Sequence, residues 1–121
     1  MKCRGIRGAT VVSENSADAI VVATKELLAE IIKANHIVIE DIASIFFTAT
    51  PDLTSAFPAS AARELGLQET PLICMTEIAV PGALAMCIRV MFHLNTDQHP
   101  SDITHVYLRG AKILRPDFAN K

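Results

Sequence analysis

The chain has 121 residues, half of them apolar and a fifth charged, with a formal net charge of −2. That length suits one domain over residues 1–121 and is too short for two, and the near-balanced charge argues against a nucleic-acid or membrane-surface partner. Cys3, Cys74 and Cys87 lack CxxC spacing, so neither a disulfide framework nor a metal site is expected, and free thiols fit a cytoplasmic protein.

The opening residues MKCRGIRGAT contain no long apolar stretch and do not read as a signal peptide. Lys2 to Val12 reads as a strand ending in the β-branched run Thr10-Val11-Val12. Alternation puts Arg4 and Arg7 on opposite faces. Gly5 and Gly8 each follow an arginine, and strand glycines mark close approach of a backbone or a ligand. The plain alternative is an edge strand with solvated arginines. Ser16 is a good N-cap, and from there to Asn35 the period is helical. Ile20, Ala23, Leu27, Ile31 and Ala34 form one stripe, with Asp18, Lys25, Glu26, Glu30 and Lys33 on the other side. This is an amphipathic helix lying on a sheet.

Glu40 to Ile42 reads as a helical turn, followed by a strand from Ser44 to Thr50. Thr50-Pro51-Asp52 breaks the chain, because the residue before proline avoids the helical region. Pro58 opens a short helix, Ala59 to Leu65, which Gly66 ends. Phe57 just before it and Arg63 within it either line an anion site or are a core phenylalanine and a surface arginine. Thr70 to Asn95 reads as two apolar strands joined by a turn at Val80-Pro81-Gly82. Pro100 to Asp102 is another helical turn, Thr104 to Leu114 a last strand, and the segment from Arg115 a mobile tail. About five strands, one long helix and short helical turns make an α+β domain.

Two charges sit in the apolar stretch against the grain. Glu77 closes its first strand, and Arg89 lies between Ile88 and Val90 in its second. Ionised groups in such surroundings are costly unless paired and hydrogen-bonded. They either form a structural pair that holds register or face one polar ligand. The long helix carries lysines but no arginine, so the six guanidinium groups fall on other elements, where they suit planar carboxylates.

Several chemistries lack their parts. There is no phosphate-binding glycine loop, GxSxG elbow or HExxH, and the four histidines have no ligand spacing. His93, in an apolar strand, reads as a satisfied core or interface residue. Cys74 has no activating base nearby in sequence. What remains, a set of arginines, a glutamate, a tyrosine and a thiol, binds and orients an anion better than it cleaves a bond.

The motifs RGIRGAT (Arg4–Thr10), TATPDL (Thr48–Leu53), FPASAARE (Phe57–Glu64), CMTE (Cys74–Glu77), CIRVM (Cys87–Met91), HVYL (His105–Leu108) and LRPD (Leu114–Asp117) together resemble the monofunctional chorismate mutases of the AroH class. The resemblance runs in order over nearly the whole chain. It implies a homotrimer with a barrel-like core, helices outside and active sites between subunits. The implied reaction is the cofactor-free rearrangement of chorismate to prephenate, on the way to phenylalanine and tyrosine. Carried over motif by motif, Arg7, Cys74, Glu77, Arg89 and Tyr107 line one side of each site, with Arg7, Glu77 and Arg89 in the catalytic roles. Phe57 and Arg63 come from the neighbouring subunit, and Arg115 from a tail that covers the site. Ser60 departs from the pattern, since relatives can carry lysine in an FPAKA version, so no charged contact is carried over at that position. Small trimeric imine/enamine deaminases share the general architecture but lack these motifs. A non-catalytic metabolite-binding trimer would keep the arginines and need no group at the ether oxygen.

Overall fold

A computed structural model describes residues 1–114 of the chain. In them β1 (Lys2–Val11), β2 (Ile42–Ala49), β3 (Leu72–Thr76), β4 (Cys87–Thr96) and β5 (Val106–Tyr107) lie side by side in the order β3-β2-β4-β1-β5. β4 runs antiparallel to both its neighbours, whereas β3 is parallel to β2 and β5 parallel to β1. The helices are α1 (Ala17–Ala34) and the short α2 (Ala59–Glu64). The result is an α+β arrangement on a mixed sheet. Among the described residues no helix is long and apolar enough to cross a membrane.

The period-two pattern of the strands decides what lies on each face. Ile6, Ile45, Phe47, Val90, Phe92 and Leu94 point to one side and form a core with Leu27, Leu28 and Ile31 of α1 and the alanines of α2. Burying an aliphatic or aromatic side chain of this size contributes about 1.5–3 kcal/mol. α1 starts where Ser16 Oγ accepts the Ala19 N–H at 3.1 Å. Its buried stripe is Ile20, Ala23, Thr24, Leu27, Leu28 and Ile31, whereas Ala34, placed in the stripe by periodicity, is exposed. Ala34 is the last helical residue, and Asn35 caps the helix directly after it. The Asn35 Nδ2 donates to the Ile31 carbonyl at 2.9 Å and, at 2.9 Å, to that of Thr104. The Thr104 N–H returns a bond to Asn35 Oδ1 at 2.8 Å, which ties the helix end to the chain entering β5.

Gly8 explains how closely α1 lies on β1. A Cβ there would meet Ile31 Cδ1 at 2.6 Å, the Val106 carbonyl oxygen at 3.0 Å and Leu27 Cδ1 at 3.1 Å. This glycine therefore serves helix-on-sheet packing and a neighbouring backbone, not a ligand.

Two expectations from the sequence need correction. The apolar stretches β3 and β4 are not paired, because β2 lies between them. The turn at Val80-Pro81-Gly82 does form, with Ala83 N–H on the Val80 carbonyl at 3.0 Å and Gly82 at φ 83°. It sits within a loop that carries the chain across the end of β2. The last strand is also far shorter than Thr104–Leu114. It comprises Val106 and Tyr107, after which Leu108 N–H donates to the Ala9 carbonyl at 2.9 Å. Arg109 then takes a left-handed φ of 53° and residues Arg109–Leu114 coil into a 3-10 helix. A left-handed residue followed by Gly110 turns the chain off the sheet, which strand propensity does not register.

Candidate active site

Among the described residues, the face of the sheet opposite the helices is covered at one end only. There Ala9, Cys87, Tyr107 and Ala111 pack together beneath Leu84 and Leu114. Elsewhere it carries large exposed apolar side chains: Phe46, Ile73 and Met75 are 43%, 50% and 41% exposed. Between the covered and the open parts lie Arg7, Arg89 and Glu77.

Arg89 is the third residue of β4, opposite Thr48 on β2 and Ala9 on β1. Glu77 directly follows β3, and its N–H extends the β2–β3 ladder by donating to the Ala49 carbonyl at 2.9 Å. The two sequence-distant charges are thus brought together across β2. Arg89 Nε stands 3.6 Å from Glu77 Oε2, and the Thr48 hydroxyl donates to that same oxygen at 2.5 Å. The side chains of Arg89 and Glu77 keep 31% and 24% exposure, so the pair is partly screened and orients the guanidinium more than it stabilises the fold. The Arg89 Nε–H is buried, and among the described residues it has no hydrogen-bond partner. A buried donor left unsatisfied costs about 1–3 kcal/mol.

Arg7 lines the same cleft, about 460 Å³, with Phe46, Met75, Met91 and His93 as further walls. Two guanidinium groups against one carboxylate leave excess positive charge there, which suits an anion. His93 is held by Ser44, Oγ to Nδ1 at 3.0 Å, and sits edge-on to the Phe46 ring at 4.9 Å. Beyond the Glu77–Arg89 pair a second cleft, about 450 Å³, runs under the loop after β3 and is bounded by Thr50, Pro51 and Asp52.

Other candidates lie elsewhere. Cys74 is not beside Arg7 and Arg89. Alternation along β3 puts Ile73 and Met75 on the open face and turns Cys74 to the helix side, where it packs against the core. It shares a separate cleft of about 360 Å³ with Phe57 and Arg63. Phe57 is 73% exposed and Arg63 is exposed in the last turn of α2, so both face away from their own chain's core. Tyr107 is 4% exposed, paired with Ala9 two residues along the strand from Arg7. Arg115 and the tail reading fall outside the described residues.

Sequence reasoning assigned no role to Thr48 or Cys87. Alternation could have found Cys87, two residues from Arg89 on one strand, whereas Thr48 lies opposite Arg89 only through the β2–β4 pairing. Burial pushes the Cys87 thiol pKa up, with the Arg89 charge opposing and the Glu77 charge assisting. Cys87 is therefore held as a neutral thiol packed beside the Arg89 guanidinium. Among the described residues no group of His, Cys, Asp or Glu is placed to hold a metal ion.

Comparison with known proteins places this geometry in context. Residues 3–118 match the family model for chorismate mutase type I. The chain is 50% identical over 115 residues to the chorismate mutase AroH of Thermus thermophilus, covering 94% of each chain. It is 48% identical over 120 residues to the chorismate mutase AroH of Bacillus subtilis strain 168, covering 98% of this chain and 94% of that one. A solved chorismate mutase from Clostridium thermocellum superposes with a TM-score of 0.90 at 56% identity, over 91% of this chain and 98% of the other.

Proposed function

The chain belongs to the chorismate mutase type I family, and from that premise we propose how it rearranges chorismate to prephenate in the synthesis of phenylalanine and tyrosine. The reaction is intramolecular: the ether C–O bond breaks as a new C–C bond forms, and no proton is transferred. Its demands are to hold a flexible dianion in the reactive chair-like geometry and to stabilise negative charge developing on the ether oxygen.

Arg89 meets that oxygen. The observation that carries the assignment is a guanidinium paired with Glu77 that lines both clefts of the open sheet face, beside Arg7 in one of them. Fixed donors aimed at charge present only in the transition state are the largest catalytic term in many enzymes. Glu77, itself fixed by the Thr48 hydroxyl, holds the guanidinium and accepts from the substrate hydroxyl. Arg7 takes a substrate carboxylate on the same face, and Tyr107 bounds that end of the site.

The site is completed by a neighbouring copy in a homotrimer. Phe46, Ile73 and Met75 leave the sheet face apolar and uncovered, the kind of surface that packs against another sheet. Phe57, Arg63 and Cys74 form a separate group turned outward on the same edge of the subunit, available to a neighbour's Arg7–Glu77–Arg89 cleft. Arg63 then binds the second carboxylate across the interface, while Cys74 and Phe57 line the wall. Purified protein incubated with chorismate should consume its diene absorbance without added cofactor. Persistence of that absorbance with assembled protein would refute the reading.

A further inference from the structure

We propose that Asp52, together with Thr50, is a positioning residue for Arg89, acting through the two residues that open β4; this rests on the reading of Arg89 as the group that meets the ether oxygen. Met86, immediately before β4, holds a left-handed φ of 54°. That conformation is unfavourable for an unbranched side chain and persists only where its surroundings impose it. Here the Asp52 carboxylate accepts the Met86 N–H, Oδ2 at 3.0 Å and Oδ1 at 3.3 Å, while the Met86 carbonyl accepts from Val12 N–H at 2.8 Å.

The next residue is held just as tightly. Thr50 Oγ1 accepts the Cys87 N–H at 3.0 Å and donates to Asp52 Oδ1 at 2.5 Å, and Thr50 N–H donates to the Cys87 carbonyl at 3.0 Å. The buried hydroxyl uses both its donor and its acceptor, so Thr50 and Asp52 form one connected unit. Arg89 follows two residues after Cys87. Its guanidinium must lie where Glu77, anchored from β3, can hold it. The main chain at residues 86–87 sets the direction from which the Arg89 side chain starts, and misplacement of a positioned group by about 1 Å can cost about 10²-fold in rate. Asp52 also borders the second cleft with Arg89, so a direct contact with substrate is the competing role.

A double-mutant cycle separates these roles. kcat and KM for chorismate are measured for the wild type and for Asp52→Ala, Arg89→Ala and the double variant, each checked by circular dichroism and sedimentation. Asp52→Ala should lower kcat by about tenfold or more with KM changed by less than about threefold, and should lower kcat by less than about twofold once Arg89 is absent. Asp52→Asn, which keeps an acceptor for Met86 N–H, should retain more kcat than the alanine variant. An equal fall in kcat with and without Arg89, a loss confined to KM, or unchanged kcat in Asp52→Ala would overturn the proposal. If Asp52→Ala does not fold, the same cycle with Thr50→Val, read against Thr50→Ser, decides by the same criteria. Normal kcat in Arg89→Ala alone would instead refute the site reading on which the cycle stands.

Discussion

Replacing Arg89 by alanine removes the guanidinium that Glu77 orients at the cleft. Its buried Nε–H has no partner among the described residues, and Glu77 Oε2 stands 3.6 Å away, beyond good hydrogen-bond range. Loss of one donor aimed at developing charge raises the barrier by about 2.7–4 kcal/mol, about 10²–10³ in kcat. The effect on the fold is much smaller. At 31% and 24% exposure the ion pair is screened, and such pairs are worth about 1 kcal/mol or less. Glu77 also keeps the Thr48 hydroxyl, so it is not left as a bare buried charge. Steady-state kinetics on assembled, folded Arg89→Ala protein should therefore show the loss mainly in kcat, with a minor change in KM. Arg89→Lys retains the charge but not the planar fork, and should also be impaired. A folded Arg89→Ala variant with kcat within about threefold of wild type would refute the electrostatic argument.

On the proposed reading that Arg63 and Arg89 serve one site from two copies, inactive Arg63→Ala and Arg89→Ala proteins should regain part of the activity when dissociated and reassembled together. Verified mixed oligomers without turnover would remove the shared site. With no proton transferred, kcat should vary little from about pH 6 to 9, between the reference carboxylate and tyrosine pKa values, and a bell inside that window would indicate acid–base chemistry. Cys87 gives stability its own pH dependence. Its folded pKa is raised, so the contribution is full below the unfolded thiol value, about 8.5, and is lost as pH rises through the higher folded value. Urea midpoints of wild type should fall more steeply than those of Cys87→Ala above about pH 8.5, and parallel curves would count against a buried neutral thiol.

Much of the local structure was legible because it rests on neighbours in sequence. The Ser16 cap, the stripe from Ile20 to Ile31, the break at Thr50-Pro51-Asp52, Pro58 ahead of α2 and Gly66 at φ 90° after it are all short-range physics. Alternation also placed Arg4 and Arg7 on opposite faces, and Arg4 Nε is in fact engaged by the Gln98 carbonyl at 3.0 Å while Arg7 lines the cleft. The motif set carried the family, because several short patterns in order over one chain are specific where any one alone is not.

Strand pairing needed the tertiary structure. Alternation fixes which residues of a strand share a face but says nothing of which strand lies beside it, so the insertion of β2 between β3 and β4 was invisible. The same limit hid the company Cys74 keeps. Its place in a CMTE motif beside Glu77 suggests one site, yet residues on opposite faces of the sheet end up in different clefts. Residues 109–114 leave the sheet because Arg109 adopts a left-handed turn, a choice decided by packing against β1 and not by strand propensity. Asp52 shows the boundary most plainly. Its proline-linked turn could be read from three consecutive residues, whereas the backbone it clamps lies 34 positions further along the chain. Local physics bends the chain at Asp52, but only the assembled sheet brings Met86 within reach of its carboxylate.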